Sequence, residues 1–167
     1  GIFASLTAEE NLTLLPAVGT GGMSVDELYR MFPNLAERRR SQGSRLSGGE
    51  QQMLALARIL RTGAHLLLLD EMTEGLAPVI VQALGRVVRE LKDRGFTVVL
   101  VEQNANMALL IAHYGSVMEN GKIMMEEAAT NLRENPDVKE FYLGTASSGA
   151  LKSYKDVKSY KRRKRWL

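Results

Sequence analysis

Cysteine is absent from this chain, which excludes disulfides, thiolate metal sites and a thiol nucleophile, and suits the cytosol. No apolar run approaches 18 residues, so no stretch has the length of a membrane-spanning helix. No secretory leader is visible, and the chain starts at Gly1 rather than at Met. Histidine is scarce. His65 and His113 have no second ligand at metal spacing, and surface or packing roles are expected of them. There is no internal repeat and no coiled-coil heptad pattern. What remains is 167 residues, 45% hydrophobic and 25% charged, the make-up of one globular domain with a sizeable core. The net charge of +3 is unevenly spread: 144–167 holds eight Lys/Arg against one Asp, and the rest holds 14 against 18 Asp/Glu. A mildly acidic body therefore precedes a basic tail.

The N-terminal third shows one helix-start pattern three times. Thr7 with Glu10, Ser24 with Glu27 and Ser47 with Glu50 have capping-box spacing. The first predicts a helix over Ala8–Leu15. The second predicts a helix through Leu28, Met31 and Phe32 that Pro33 interrupts. Gly19–Gly22 reads as a flexible connection and Ser41–Arg45 as a polar loop. After Ser47, the residues Met53, Leu54, Leu56, Ala57 and Leu60 follow helical spacing to a stop at Thr62-Gly63. Leu66–Leu69, closed by Asp70-Glu71, predicts a buried central strand, and Phe96–Val101 predicts another. Between them a helix opens at Pro78 and ends near Arg94, with Gly95 as its stop. Asn104 caps a further helix, Asn120-Gly121 marks a hairpin, and two short helical pieces follow near 128–133 and 137–142. The strand–helix–strand alternation predicts an α/β fold with a parallel sheet, whose ligands bind beyond the carboxyl ends of the strands.

Leu46-Ser47-Gly48-Gly49-Glu50-Gln51-Gln52 carries the most specific chemical signal. Two glycines in a first helical turn cost about 1 kcal/mol each against Ala. A missing Cβ would let a ligand approach the N–H groups of a helix start, which attracts anions such as phosphate. An ordinary glycine-containing N-cap accounts for the stretch as well. Asp70 at a strand end suits a hard ion such as Mg²⁺, and Glu71 beside it could deprotonate a water for phosphoryl hydrolysis. A purely structural pair of acids is the alternative. Met53, Met107, Met118, Met124 and Met125 are expected to fill core or interface space.

In their order, Leu46–Gln52, Leu66–Glu71, Glu74-Gly75-Leu76-Ala77 and Glu102-Gln103-Asn104 resemble the signature, Walker B, D-loop and switch region of ABC-type ATPase domains. Ile2–Leu15, Tyr29–Arg39, Glu74–Pro78 and Val101–Asn104 are further similar to the subfamily that supplies an ATPase subunit to branched-chain amino acid importers, where Gln is usual at the switch position. The resemblance implies a P-loop NTPase-like fold, present in part: a helical and signature region over 1–62 and the C-terminal part of the parallel-sheet core over 63–143, followed by the tail at 144–167. It implies ATP and Mg²⁺ as cofactors, with Asp70 holding Mg²⁺ through water, Glu71 as general base and Gln103 placing the γ-phosphate. Ser47, Gly48, Gly49 and Glu50 would contact ATP held by a partner subunit, and Glu74, Gly75, Leu76 and Ala77 would line the dimer contact. The implied partners are a second ATPase subunit, in a homo- or heterodimer, and transmembrane permease subunits. The implied location is cytoplasmic, on the inner face of the plasma membrane.

Importers for urea or amides have similar ATPases. A repair or chromosome-type ATPase shares the signature, but Gln51-Gln52 and Glu74–Pro78 fit importers better, so nucleic acid is not an expected partner. The basic tail reads as a solvated end, with contact to anionic headgroups as the second reading. Met31 and Phe32 line either a permease groove or the core. Met72 stands where Pro is usual, and loss of a fixed φ would loosen that turn. His113-Tyr114 replaces an Asp-Arg pair common after the last helix, which reads as a structural change. No Gly-x-x-x-x-Gly-Lys-Ser/Thr pattern occurs, so the chain resembles the C-terminal part of a longer subunit and is expected to be inactive by itself.

Overall fold

Three helices begin on the same side-chain exchange. In the computed structural model, which describes residues 1–142, Thr7, Ser24 and Ser47 each accept the N–H of Glu10, Glu27 or Glu50. Each Glu carboxylate in turn accepts the N–H of its own cap. These caps open α1 (Ala8–Thr13), α2 (Val25–Met31) and α4 (Gly48–Arg61), satisfying donors that a first turn otherwise leaves open. Helix α3 (Pro33–Glu37) starts on Pro33. The residue expected only to interrupt a helix also opens one, because the first helical position needs no N–H partner. The polar loop before Ser47 includes a 3₁₀ turn at Gly43–Arg45.

The first of two compact units ends at Gln103, and α4 is its hub, with α1, α2 and α3 all packed on it. Met53, Leu54, Leu56, Ala57 and Leu60 of α4 are buried, as are Leu12, Leu28, Phe32 and Leu35. Each such Leu or Phe contributes about 1.5–3 kcal/mol by leaving water. Phe32 is 1% exposed, which resolves its two readings in favour of the core. Helix α4 stops at Thr62, followed by Gly63 at φ +81°.

Strands β1 (Leu66–Asp70) and β2 (Thr97–Val101) pair in parallel, with Leu66 opposite Thr97 and Asp70 opposite Val101. Helix α5 (Pro78–Asp93) joins them and packs on β2, ending before Gly95 at φ +87°. The expectation of two buried strands is corrected here. Leu66, Leu68, Val99 and Val101 are 57%, 73%, 49% and 55% exposed, whereas Leu67 is buried and Leu69, Val98 and Leu100 are half-buried. Alternation places these two sets on opposite faces, and only one face is covered by described residues. A continuous apolar run says that both faces accept apolar side chains, not that both are covered within this chain.

The second unit begins at Asn104. The Asn104 side chain accepts the N–H of Met107 at 3.1 Å and caps α6 (Ala105–Ile111). Strands β3 (Tyr114–Glu119) and β4 (Lys122–Ala128) form an antiparallel hairpin. Its turn residues Asn120 and Gly121 take φ +50° and +74°, as a two-residue hairpin loop of type I′ requires. Helices α7 (Ala129–Glu134) and α8 (Pro136–Phe141) follow. Met125, Leu132 and Val138 form the core of this unit, with Leu109, Val117, Met124 and Tyr142 against it. Met53 and Met125 fill core space as expected, but Met118 is 64% exposed on the hairpin. No helix among the described residues is long and apolar enough to cross a membrane. The basic tail at 144–167 lies outside the described residues.

Candidate functional site

The carboxyl ends of β1 and β2 lie side by side, so the residues just beyond them are brought together. Glu71 follows β1 with φ +46°, a left-handed conformation that costs a non-glycine residue about 1–2 kcal/mol. That turn swings Glu71 out of strand alternation. Its N–H donates to the Val101 carbonyl at 2.9 Å, and its carbonyl accepts the Glu74 N–H at 3.2 Å. Its Oε1 accepts a hydrogen bond from Gln103 Nε2 at 2.7 Å. Two residues 32 apart in sequence, read separately as base and switch, are therefore joined directly.

Asp70 is exposed, and its side chain makes no hydrogen bond or ion pair among the described residues. No cluster of three or more His, Cys, Asp or Glu gathers there or elsewhere among them. One open carboxylate is a donor set that fits Mg²⁺ held mainly by waters and substrate phosphates, and does not fit an all-protein cage.

The loop after Glu71 is anchored by burial and by a contact that the sequence reading missed. Met72 and Thr73 are each 7% exposed. The Thr73 N–H donates to Glu102 Oε1 at 3.1 Å and its hydroxyl donates to Glu102 Oε2 at 2.7 Å. Local sequence pattern carried no signal for it: only the register, with Asp70 opposite Val101, brings the positions just past each strand end together. Beyond Thr73, Glu74, Gly75 and Ala77 are exposed and Leu76 is half-buried.

The start of α4 forms a second cluster. Glu50 Oε2 accepts the Ser47 N–H at 2.7 Å and the Ser47 hydroxyl at 2.8 Å. Arg38 Nε stands 3.7 Å from Glu50 Oε1, with its side chain 60% exposed, a geometry worth little in solvent. Gln51 Nε2 donates to the Leu46 carbonyl at 3.0 Å and holds the preceding loop against the helix. The N–H groups of Gly48 and Gly49, in the first turn, have no intrahelical acceptor.

The two glycines prove to have different reasons. A Cβ on Gly48 would meet Leu76 Cδ2 at an ordinary 3.6 Å, whereas a Cβ on Gly49 would lie 2.7 Å from Ile80 Cγ2. Gly49 is buried, so its missing Cβ makes room for α5, and only Gly48 presents an open backbone.

Deeper in α4, Arg58 is 5% exposed. Its Nε donates to the Asn11 carbonyl at 3.1 Å, Nη1 donates to the Gly1 carbonyl, and its guanidinium lies 4.8 Å from the centre of the Phe3 ring. Burial pushes its pKa down. Asn11, fully buried, accepts the Phe3 N–H at 2.8 Å. Together they fasten the N-terminal turn to α4. A groove of about 430 Å³ runs along β1, lined by Gln52, Ala55, Leu56, Ile59, Leu66–Asp70 and Met72. Its outer strand positions are the exposed leucines described above.

Comparisons with known proteins show what the chain is similar to. The family model described as "ABC transporter" matches residues 1–74. Over 152 residues the chain is 43% identical to BraG of Pseudomonas aeruginosa, a high-affinity branched-chain amino acid transport ATP-binding protein, covering 86% of this chain and 63% of that one. It is 33% identical to LivF of Archaeoglobus fulgidus, a probable protein of the same kind, covering 86% and 62%. The chain thus spans less than two thirds of the length of these relatives. Among solved structures, the ATP-binding cassette MJ0796, a dimer bound to ADP and phosphate, is similar with a TM-score of 0.64 at 26% identity, over 77% of this chain and 59% of that one. The nucleotide-free and ADP-bound cassettes that also match, at 22% and 23% identity, share the fold. With a parallel strand pair, its crossover helix and a capped glycine helix start in the same order, the chain is similar to the ATP-binding cassettes of ABC transporters.

Proposed function

We propose that these 167 residues are the signature-, Walker B- and switch-bearing portion of an ATPase that powers import of branched-chain amino acids. The observation that carries the reading is the 2.7 Å hydrogen bond from Gln103 to Glu71 at the ends of adjacent parallel strands. It places a side-chain amide and a carboxylate where a water could be held and deprotonated. The names of the similar proteins support the amino-acid substrate, and their cassette structures support ATP as the nucleotide.

In this reading Glu71 takes a proton from a water as its oxygen attacks the γ-phosphorus. The bond from that phosphorus to the β-phosphate bridging oxygen breaks, releasing ADP and phosphate. Gln103 fixes the Glu71 carboxylate and orients the terminal phosphate. Asp70 would hold Mg²⁺ through water, and the ion would supply charge neutralisation at the β- and γ-phosphates. The α4 start works on a second nucleotide held by a partner subunit. Ser47 and the open N–H of Gly48 face that phosphate, Glu50 acts by holding Ser47, and Gly49 lets the helix lie close against α5. Glu74, Gly75, Leu76 and Ala77 contact the partner. The partners are a second cassette and the permease subunits, at the cytoplasmic face of a membrane.

The sequence holds no phosphate-cradling Gly-x-x-x-x-Gly-Lys-Ser/Thr loop. These residues by themselves are therefore expected not to turn over ATP. The test is phosphate release by the purified chain with ATP and Mg²⁺, beside Glu71→Gln. No release above background is expected, and a rate that Glu71→Gln abolishes would overturn the half-site reading.

A further inference from the structure

Glu102 lies outside the residues that the mechanism uses, yet it makes the most complete polar contact at the strand ends. Both of its carboxylate oxygens are taken by one residue, Thr73, which donates its N–H at 3.1 Å and its hydroxyl at 2.7 Å. Thr73 is 7% exposed, so its donors lie away from water and would be costly to leave unpaired. A residue offering two donors on one side calls for two acceptor atoms, which a carboxylate supplies.

The position of this pair matters more than its strength. Thr73 lies two residues after Glu71, and Glu102 immediately precedes Gln103. The Thr73–Glu102 contact and the Gln103–Glu71 contact are therefore two rungs between the same two loops. One rung is a single exposed hydrogen bond. The other is doubly bonded and partly buried. Glu71 is also held at φ +46°, a conformation that persists only where surrounding contacts over-determine it. The double rung provides that restraint on both loops at once.

We propose that Glu102 is a positioning residue that, through Thr73, sets the backbone turn at Glu71 and the approach of Gln103. It touches no nucleotide itself. The proposal rests on the reading of Glu71 as the base, but its geometry can be tested without nucleotide.

The readout is the side-chain amide of Gln103 in the full 167-residue chain, followed by NMR. In wild type its two proton shifts are expected to depart from those of a free glutamine side chain, and Glu71→Ala should collapse that signature and identify it. Glu102→Ala should collapse it too, through local opening of the loops, while the amides of β1 and β2 stay in place. Glu102→Gln can still accept the Thr73 N–H through its carbonyl and donate to the Thr73 hydroxyl oxygen through its amide, so it should restore the wild-type signal. Thr73→Val, which keeps one bond of two, should fall between, and Thr73→Ser should match wild type. An unchanged Gln103 amide in Glu102→Ala would overturn the proposal. So would global unfolding of both Glu102→Ala and Thr73→Val, which would make the pair a general structural support. If the amide behaves as expected but Glu71→Gln leaves ATP turnover unchanged when these residues are joined to a P-loop-bearing segment, the positioning stands and the functional reading fails.

Discussion

Gly48 and Gly49 adjoin in sequence and answer to different neighbours. At Gly49 a Cβ would sit 2.7 Å from the branched Cγ2 of Ile80. Overpacking of that kind costs about 1–3 kcal/mol, against a gain of about 1 kcal/mol from helix propensity. Gly49→Ala is therefore expected to lower stability by about 1 kcal/mol in urea unfolding, with Ile80→Ala in the same chain relieving the penalty. Gly48→Ala should leave stability unchanged or slightly raised, because its new methyl meets only ordinary contact. At this scale the sequence identified Ser47, Asp70, Glu71 and Gln103 as residues to watch, because their types and order carry the chemistry. It did not reveal Ile80 as the reason for Gly49, or Glu102 as the partner of Thr73. Both depend on contacts between segments about thirty residues apart, which local pattern does not encode.

The helices were the most legible elements, since capping boxes and glycine stops are local chemistry. The caps also predict an acid response. Hydrogen bonds from the Thr7 backbone and side chain hold Glu10 below the ordinary carboxylate value of 4.5. The Ser24 side chain and backbone hold Glu27 below the same value. A carboxylate depressed in the folded state contributes fully above its unfolded pKa, and that contribution is lost as pH falls through the folded value. Stability should therefore decline as pH drops below about 4.5, and Glu10→Gln/Glu27→Gln should flatten that decline in acid titrations followed by circular dichroism. The strands were legible in place but not in burial, because Leu66–Leu69 is compatible with one covered face or two. Leu67→Ala is expected to cost about 2–5 kcal/mol, whereas Leu68→Ala, at a position 73% exposed, should fall within about 0.5 kcal/mol of wild type. Equal costs would restore the two-sided burial that the run of leucines suggested.

For the molecule as a whole, the proposed function divides the work of the two clusters between subunits. Asp70, Glu71 and Gln103 gather at the strand ends, and the proposal assigns them to nucleotide held with their own subunit. The capped start of α4 is a separate cluster, and no hydrogen bond or ion pair joins it to the strand-end residues among the described residues. In the proposed function it presents Ser47 and Gly48 to a nucleotide held by another subunit. The resemblance was legible from the order of four short motifs and already implied this division of labour, while the geometry added how each cluster is held. The most direct test of that division pairs this chain with a P-loop-bearing ABC cassette whose own signature Ser is replaced, so that its homodimers are silent. Adding the 167-residue chain should restore phosphate release from ATP and Mg²⁺, and Ser47→Arg in the chain should abolish the restoration while leaving its fold intact. Restoration that survives Ser47→Arg, or silence with the wild-type chain despite measured association of the two proteins, would contradict the account.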